Sequence, residues 1–481
     1  MAQDDTQTPT APGPDALAPD ALGPDLPGPD AIGAAPGPDA LAPDLPGPDA
    51  PGADGPDVPG AGSEEPDDGG LWRNTDFLKF WFGETLSLFG TQVTILAVPA
   101  TAVLVLHAGP EQLGLLRFLQ LVPYLIFGML FGVLVDRTRR RPMMFIANTA
   151  RMLLIGLVPI LSVLGQLHLA TLYVVTFGVG TAALLYDVSW MSYIPALIRD
   201  KRYLVEANAK LGTTLSSADA AGPGIAGALI GALTAPIAMA VDAFSYLLAL
   251  VSLRLIRTPE PAPVSSGGRR LLPELREGMR FVFTNRYVRA VAIVGGLCNF
   301  FISANQPLLI FYALNDRSIK PGVLGLIFSA AAVGGVLGAL RARALIKRLP
   351  LGRLYLGGLA LTFGAPILVP AAAGPTLLVA VLFAASLFLM FASVSVVNVI
   401  IISMRQTLTP GPLLGRMTAA VRMLLFGGGA IGGLLGGLLG AAVGAHSALW
   451  ISAVGSLVAF LPIALSPVAR LRAMPTAEAA T

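Results

Sequence analysis

From Trp72 onward the chain alternates long apolar runs with short polar breaks. A helix needs about 20 residues to cross about 30 Å of hydrocarbon. Twelve runs reach that length, near 77–106, 111–135, 143–165, 168–197, 203–232, 235–256, 287–312, 321–345, 352–372, 375–403, 412–441 and 446–468. The pattern predicts an all-α membrane protein with twelve transmembrane helices. The breaks are of two kinds. Those near 107–110, 166–167, 233–234, 373–374 and 442–445 hold no Lys or Arg. The alternate ones are basic: Arg137, Arg139, Arg140 and Arg141; Arg199, Lys201 and Arg202; eight residues from Arg254 to Arg289; five from Arg341 to Arg353; Arg405 and Arg416. Arg317 and Lys320 are a mild exception. Basic loops stay in the cytoplasm, so both termini are expected there.

The longest basic break, 257–286, divides the apolar part in two. It opens with the flexible "TPEPAPVSSGGRR". In the "LLPELREGMRFVF" that follows, Leu271, Leu272, Leu275, Met279 and Val282 share one helical face, with Arg276, Glu277 and Arg280 opposite. That is the pattern of an interfacial amphipathic helix. The halves echo each other: "EANAKLGTTLSSADAAGPGIAGALIG" in the fifth run resembles "RMTAAVRMLLFGGGAIGGLLGG" in the eleventh. Paired six-span repeats are a transporter layout. The expected organisation is an acidic cytoplasmic tail (1–70), a six-helix bundle (71–257), a cytoplasmic linker with an amphipathic helix (258–286), a pseudo-symmetric second six-helix bundle (287–470) and a short tail (471–481).

Composition sharpens the picture. Hydrophobic residues make up 54% of the 481, and charged residues 13%, where soluble domains carry about 25%. The net charge of +3 conceals a split. Residues 1–70 hold fifteen acids and no base, and the remainder holds 32 bases against fourteen acids. The tail repeats "PGPDALAPD"-like units whose prolines block helix and whose few Leu cannot offset chain entropy, so disorder is expected. The excess of Arg over Lys and the abundant Ala and Gly suit a bacterial gene and its cytoplasmic (plasma) membrane. Cys298, the single cysteine, lies in an apolar run. No P-loop is present, and the three His lack metal-ligand spacing. No catalytic elbow occurs, and the basic loops lack stacking aromatics. No enzyme activity, metal, cofactor or nucleic-acid partner is expected.

One stretch carries a family signature. "GVLVDRTRRR", 132–141, resembles the G-x-L-A-D-R-x-G-R-[KR] loop between spans two and three of the major facilitator superfamily. Gly132, Leu134, Asp136, Arg137, Arg140 and Arg141 fit; Val135 and Arg139 depart. "YDVSWMSYIPALI", "LVEANAKL", "GPGIAG" and "VDAFSYLLAL" resemble the branch of macrolide-efflux and enterobactin-export proteins. That branch often has S-x-x-G-D in its first span; here Thr91 stands where the acid would be. The resemblance implies two six-helix bundles working by alternating access on a small molecule. It also implies that Asp136 meets the start of the eleventh span, near Arg416. Gly132, Asp136, Arg137, Arg140 and Arg416 are thus a candidate conformational latch, in which a glycine permits close helix approach and a carboxylate is favoured at a helix N-terminus. The arginines also serve as topological anchors, but an anchor needs no acid. In the second half, "GALRARALIKR" puts Ala342 where the acid would fall, so any latch is asymmetric.

In the fifth run, Gly222, Pro223 and Gly227 fit the G-P-x-x-G-G element of proton-antiport exporters in this superfamily, with Ala226 and Ala218 in place of glycines. The resemblance favours export over import, while generic helix packing explains the same residues. Charges inside spans are costly and mark function or neutralisation. Glu84, Arg151 and Asp187 are expected at similar depth as one buried network. Asp219 is mid-span without a base in its own helix nearby, and Arg117 and Asp242 lie toward the outside. Proton coupling by Asp219, or by Glu84 with Asp187, competes with a structural role. Thr91, Gln92, Asn299, Asn305, Gln306 and Asn398 are candidate cavity residues, with helix-packing glue as the alternative. The expected function is proton-coupled export of a small amphipathic or hydrophobic compound by a monomer. An importer of the same fold, or a non-transporting receptor or scaffold, remains the alternative.

Overall fold

The computed structural model describes residues 70–198, 201–260 and 271–472. The acidic tail lies outside the described residues but for Gly70, as do 261–270 of the linker and 473–481 of the final tail. Each apolar run returns as helix, within a few residues of its expected limits. In the first half these are α1 (Thr75–Leu104), α2 (Pro110–Ile126, continued by Gly128–Arg137), α3 (Arg140–Val163), α4 (Leu169–Leu197), α5 (Leu204–Leu233) and α6 (Ala235–Leu255). A connecting helix, Leu271–Thr284, follows. The second half holds α7 (Arg286–Phe311), α8 (Pro321–Arg348), α9 (Leu351–Gly364, extended by Leu368–Ala371), α10 (Thr376–Leu408), α11 (Gly411–Val443) and α12 (Ala445–Ala464).

Ten of the described helices are long and apolar enough to cross a membrane, eleven if bent α2 is one span. The remaining one is α5, thirty residues long, whose Glu206, Lys210 and Asp219 and run of Thr and Ser dilute its hydropathy. The bend in α2, 51° at Phe127, follows Pro123, which removes a helical donor and crowds the preceding turn. Lipid-facing positions keep large apolar side chains in the open: Val163 is 77% exposed, Leu340 72% and Leu377 77%.

Helix packing repeats with the numbering advanced by six. In the first half α1 packs on α5 and α6, α2 on α4, and α3 on α4 and α6. In the second, α7 packs on α11 and α12, α8 on α10, and α9 on α10 and α12. Two extensive seams join the halves, α2 with α11 and α5 with α8, and the same shift exchanges them; α7 also touches α2 and α1. The connecting helix packs on α11 and α7, setting Leu275, Met279, Phe281 and Val282 against the apolar cluster of the second half. The ends of the bundle are called here the terminal face, where α1 starts and α12 ends, and the distal face opposite.

Candidate functional site

The two seams between the halves are closed at one end only. Toward the distal face, a Cβ on Gly437 of α11 would sit 2.6 Å from Gly114 Cα and 2.7 Å from the Pro110 carbonyl oxygen of α2. A Cβ on Gly227 of α5 would sit 2.6 Å from the Pro321 carbonyl oxygen and 3.1 Å from Gly325 Cα of α8. Only glycine permits such backbone contact. Toward the terminal face the same helices have parted. A Cβ on Gly128, Gly132, Gly212, Gly411 or Gly415 would meet nothing within 4 Å. The close approach expected at Gly132 is therefore not made in this conformation, in which α2 bends above it and no α11 atom comes within 4 Å of its Cβ position. Between α2 and α11 lies a cavity of about 730 Å³, lined by Tyr124, Gly132, Asp136, Arg416, Arg422 and Phe426 among others.

Glu84, Arg151 and Asp187 do come within electrostatic range of one another, but tyrosines make their contacts. Tyr186 donates its hydroxyl to Glu84. Tyr124 donates to Asp187 at 2.8 Å. The Arg151 guanidinium lies over the rings of Tyr186 and Tyr246, at 5.1 and 5.5 Å. Tyr246 in turn shares a 2.9 Å hydrogen bond with Thr91. A guanidinium between aromatic faces keeps electrostatic stabilisation without a carboxylate in contact. Tyr124 also stacks on Phe426 of α11, with centroids 4.2 Å apart, so the Asp187 branch reaches the other half. A carboxylate from α6 lies beside this part of α1. Asp242, fully buried, accepts from Thr94 and from Ser245. A Cβ on the neighbouring Gly90 would come 2.5 Å from Asp242 Oδ1, so that glycine makes its room.

Asp219 stands apart from this network. It is half-buried and accepts from Gln92 Nε2 at 2.6 Å, with no ion-pair partner among the described residues. Pro223 lies four residues on and supplies no N–H to the Asp219 carbonyl. One residue further, the Gly224 N–H donates to Ser329 Oγ of α8 at 2.9 Å. Gly222 abuts the Gln92 stem, where a Cβ would sit 2.5 Å from Cγ. Proline and glycines thus place Asp219, Gln92 and the second half within a few side chains. The other polar candidates divide. Asn299 and Asn305 donate back to their own helix, to Gly295 and Phe301 carbonyls at 3.1 and 2.8 Å. Gln306 lines a smaller cavity in the distal half, and Asn398 is exposed.

At the terminal face a clasp that single runs of sequence do not announce ties α1, α3 and α6. Asp76 accepts from Arg257 N, Thr258 N and Thr258 Oγ1 at 2.8–2.9 Å and from Lys79 at 2.8 Å. Glu260 accepts the Arg140 and Arg141 amides at 2.6 and 3.1 Å, an acid on a helix N-terminus. Arg141 donates to the carbonyls of Leu253 and Arg254 at 3.0 and 3.2 Å. Arg140 and Arg141 are thus engaged within the first half. Arg137 is exposed, and Asp136 faces the large cavity together with Arg416. Arg416 bonds Glu277 of the connecting helix. A Cβ on Gly278 beside it would lie 2.6 Å from the Arg416 carbonyl carbon, so the helix is fitted to α11.

Comparison with known proteins agrees with this architecture. The family described as transmembrane secretion effector matches residues 71–480. The chain is 25% identical over 394 residues to the multidrug efflux pump Tap of Mycolicibacterium fortuitum, covering 78% of this chain and 92% of that one. It is 23% identical over 269 residues to macrolide efflux protein A of Streptococcus pyogenes, covering 54% and 65%. Among solved structures, nucleoside transporter NupG superposes with a TM-score of 0.64 at 13% identity, over 81% of this chain and 98% of that one. A bacterial homologue of ferroportin in an inward-facing state gives 0.62 at 19%, over 81% and 98%.

Proposed function

The chain belongs to the transmembrane secretion effector family of the major facilitator superfamily, and on that premise we propose that it exports a small amphipathic or hydrophobic compound in exchange for protons. It is a multi-pass membrane transporter rather than an enzyme. The observation that carries the finer proposal is the asymmetry along the bundle: both glycine seams are in contact distally, and toward the terminal face a cavity of about 730 Å³ lies between α2 and α11. That volume suits a drug-sized ligand, and its walls mix apolar, aromatic and cationic groups. The basic loops support a cytoplasmic terminal face, in a bacterial plasma membrane, with the cavity open to the cytoplasm. Export is supported by the two relatives named for efflux.

Asp219 is the proposed proton carrier, since it is half-buried, has no ion-pair partner among the described residues, and sits near Pro223 where α5 meets α1 and α8. Glu84, Arg151 and Asp187, held by tyrosines, form a framework whose Tyr124–Phe426 contact links the halves. Closure at the terminal face would bring α11 onto Gly132, with Asp136, Arg137 and Arg416 as the latch and Arg140 anchoring the loop. Growth of an otherwise identical pair of strains, with and without the chain, against a panel of amphipathic antibiotics and dyes tests this. The chain should lower both susceptibility to some of these compounds and their accumulation. Raised accumulation would instead indicate an importer, and unchanged accumulation of every compound would argue against export of this class.

A further inference from the structure

A second cavity, of about 70 Å³, lies in the distal half between α1, α2, α4 and α7. We infer that it binds a monovalent anionic head group, such as a carboxylate. Four polar side chains besides Thr94 line it: Arg117, Gln120, Thr176 and Gln306. Three of these bring a buried polar atom without a hydrogen-bond partner, namely Arg117 Nε, Thr176 Oγ1 and Gln306 Oε1. Buried polar groups are ordinarily satisfied, and three unsatisfied atoms around one small cavity mark a place where a ligand completes the bonding.

The charge balance points to an anion. Arg117 donates Nη1 to Gln120 Oε1 at 2.8 Å, and among the described residues no carboxylate pairs with it. Asp242 does not serve: it accepts from Thr94 and Ser245, its through-space cation is Arg151, and no ion pair joins it to Arg117 among the described residues. A guanidinium at membrane depth without a counter-charge is costly. Arginine offers five donors and no acceptor, a threonine hydroxyl rotates to donate, and a glutamine amide can present either end. As placed, Gln306 leaves its acceptor Oε1 open; with the ends of that amide exchanged, all three side chains donate.

The second half supplies part of the site. Gly433 of α11 leaves a notch for the arginine stem, since a Cβ there would lie 2.6 Å from Arg117 Cγ and 2.9 Å from its Cβ. Gln306 comes from α7. An occupant therefore bridges the halves on the side that is closed. A water occupies about 10–15 Å³ by this measure, so the space takes a few waters or one carboxylate, not a whole drug-sized molecule. The occupant is a free small anion or the acidic end of a carried compound; the latter source rests on the export proposal above.

The test uses the purified full-length protein in detergent at fixed ionic strength, with sodium acetate and neutral acetamide as probes. Acetate should raise the melting temperature of the wild type and acetamide should not. In Arg117→Gln the apparent acetate affinity should fall about tenfold or more, the loss of a charged hydrogen bond. Thr176→Val and Gln306→Leu should weaken it in the same direction, and they decide the matter if Arg117→Gln does not fold. Equal effects of acetate and acetamide, or an acetate response unchanged in the variants that fold, would overturn the site. In inverted vesicles, a rhodamine with a free carboxylate is compared with its methyl ester. Loss of the acid alone in Arg117→Gln assigns the head group to cargo, and equal carriage of both dyes assigns it to a free anion. If acetate binds through Arg117 but the strain panel above shows no compound exported, the export proposal fails and the anion site stands.

Discussion

Replacing Gly437 by alanine should tip the protein from its present conformation toward one open at the distal face. The added Cβ would lie 2.6 Å from Gly114 Cα and 2.7 Å from the Pro110 carbonyl oxygen. Both are backbone atoms and cannot rotate away, so α2 and α11 must separate. Overpacking of this kind costs about 1–3 kcal/mol. At about 1.4 kcal/mol per factor of ten, the ratio of distal-closed to distal-open molecules should fall roughly 5- to 150-fold. Spin labels at Glu111 and Ala442, in a Cys298→Ser background, would report the distance between the halves at that face. Gly437→Ala should populate a longer distance, whereas Gly415→Ala, whose Cβ meets nothing within 4 Å, should not. An unchanged distribution in Gly437→Ala would refute the claim that glycine contact holds the seam shut.

Asp76→Ala removes the acceptor of four hydrogen bonds at the α1–α6 clasp. It should cost about 2 kcal/mol or more, since bonds to a charged group are worth about 1.5–3 each, and an unshifted melting temperature in nanodiscs would count against it. Tyr186→Phe keeps the ring beneath Arg151 but removes the donor to Glu84. Its loss of about 1.5–3 kcal/mol should exceed the further loss on going to Leu, about 0.5–2 for the cation–π contact, as read from chemical denaturation. Arg416→Ala breaks a largely exposed pair with Glu277, of 37% and 49% side-chain exposure, and should change stability by less than about 1 kcal/mol. A larger fall in transport than in stability would then place Arg416 in the conformational switch.

The helices were legible in the sequence because hydrocarbon demands long apolar runs and forbids unsatisfied backbone. The repeat by six was visible in the echo between the fifth and eleventh runs. α2 read as one span with no bend marked, since the effect of Pro123 depends on what packs beside it. Gly132 was expected in close contact and is not, because a sequence does not say which conformation a two-state helix pair adopts. Glu84, Arg151 and Asp187 stood out as charges in apolar runs. Their mediators Tyr124, Tyr186 and Tyr246 did not, because tyrosine is ordinary in a membrane helix. Asp76 and Glu260 were invisible for a related reason: an acid at a helix end looks solvent-exposed until a distant helix delivers amides to it. The glycines of α11 read only as an echo of the fifth run, and it is the fold that pairs Gly437 with Gly114 and Gly433 with Arg117.

Proton movement in inverted vesicles tests the central claim most directly. With the lumen acidified and an acridine dye reporting the gradient, adding a transported amphipathic compound should release protons and restore fluorescence in vesicles that contain the chain. Asp219→Asn, inserted at equal abundance, should abolish that release. Full release in Asp219→Asn, or uptake of the compound into the lumen with no proton movement, would contradict the account.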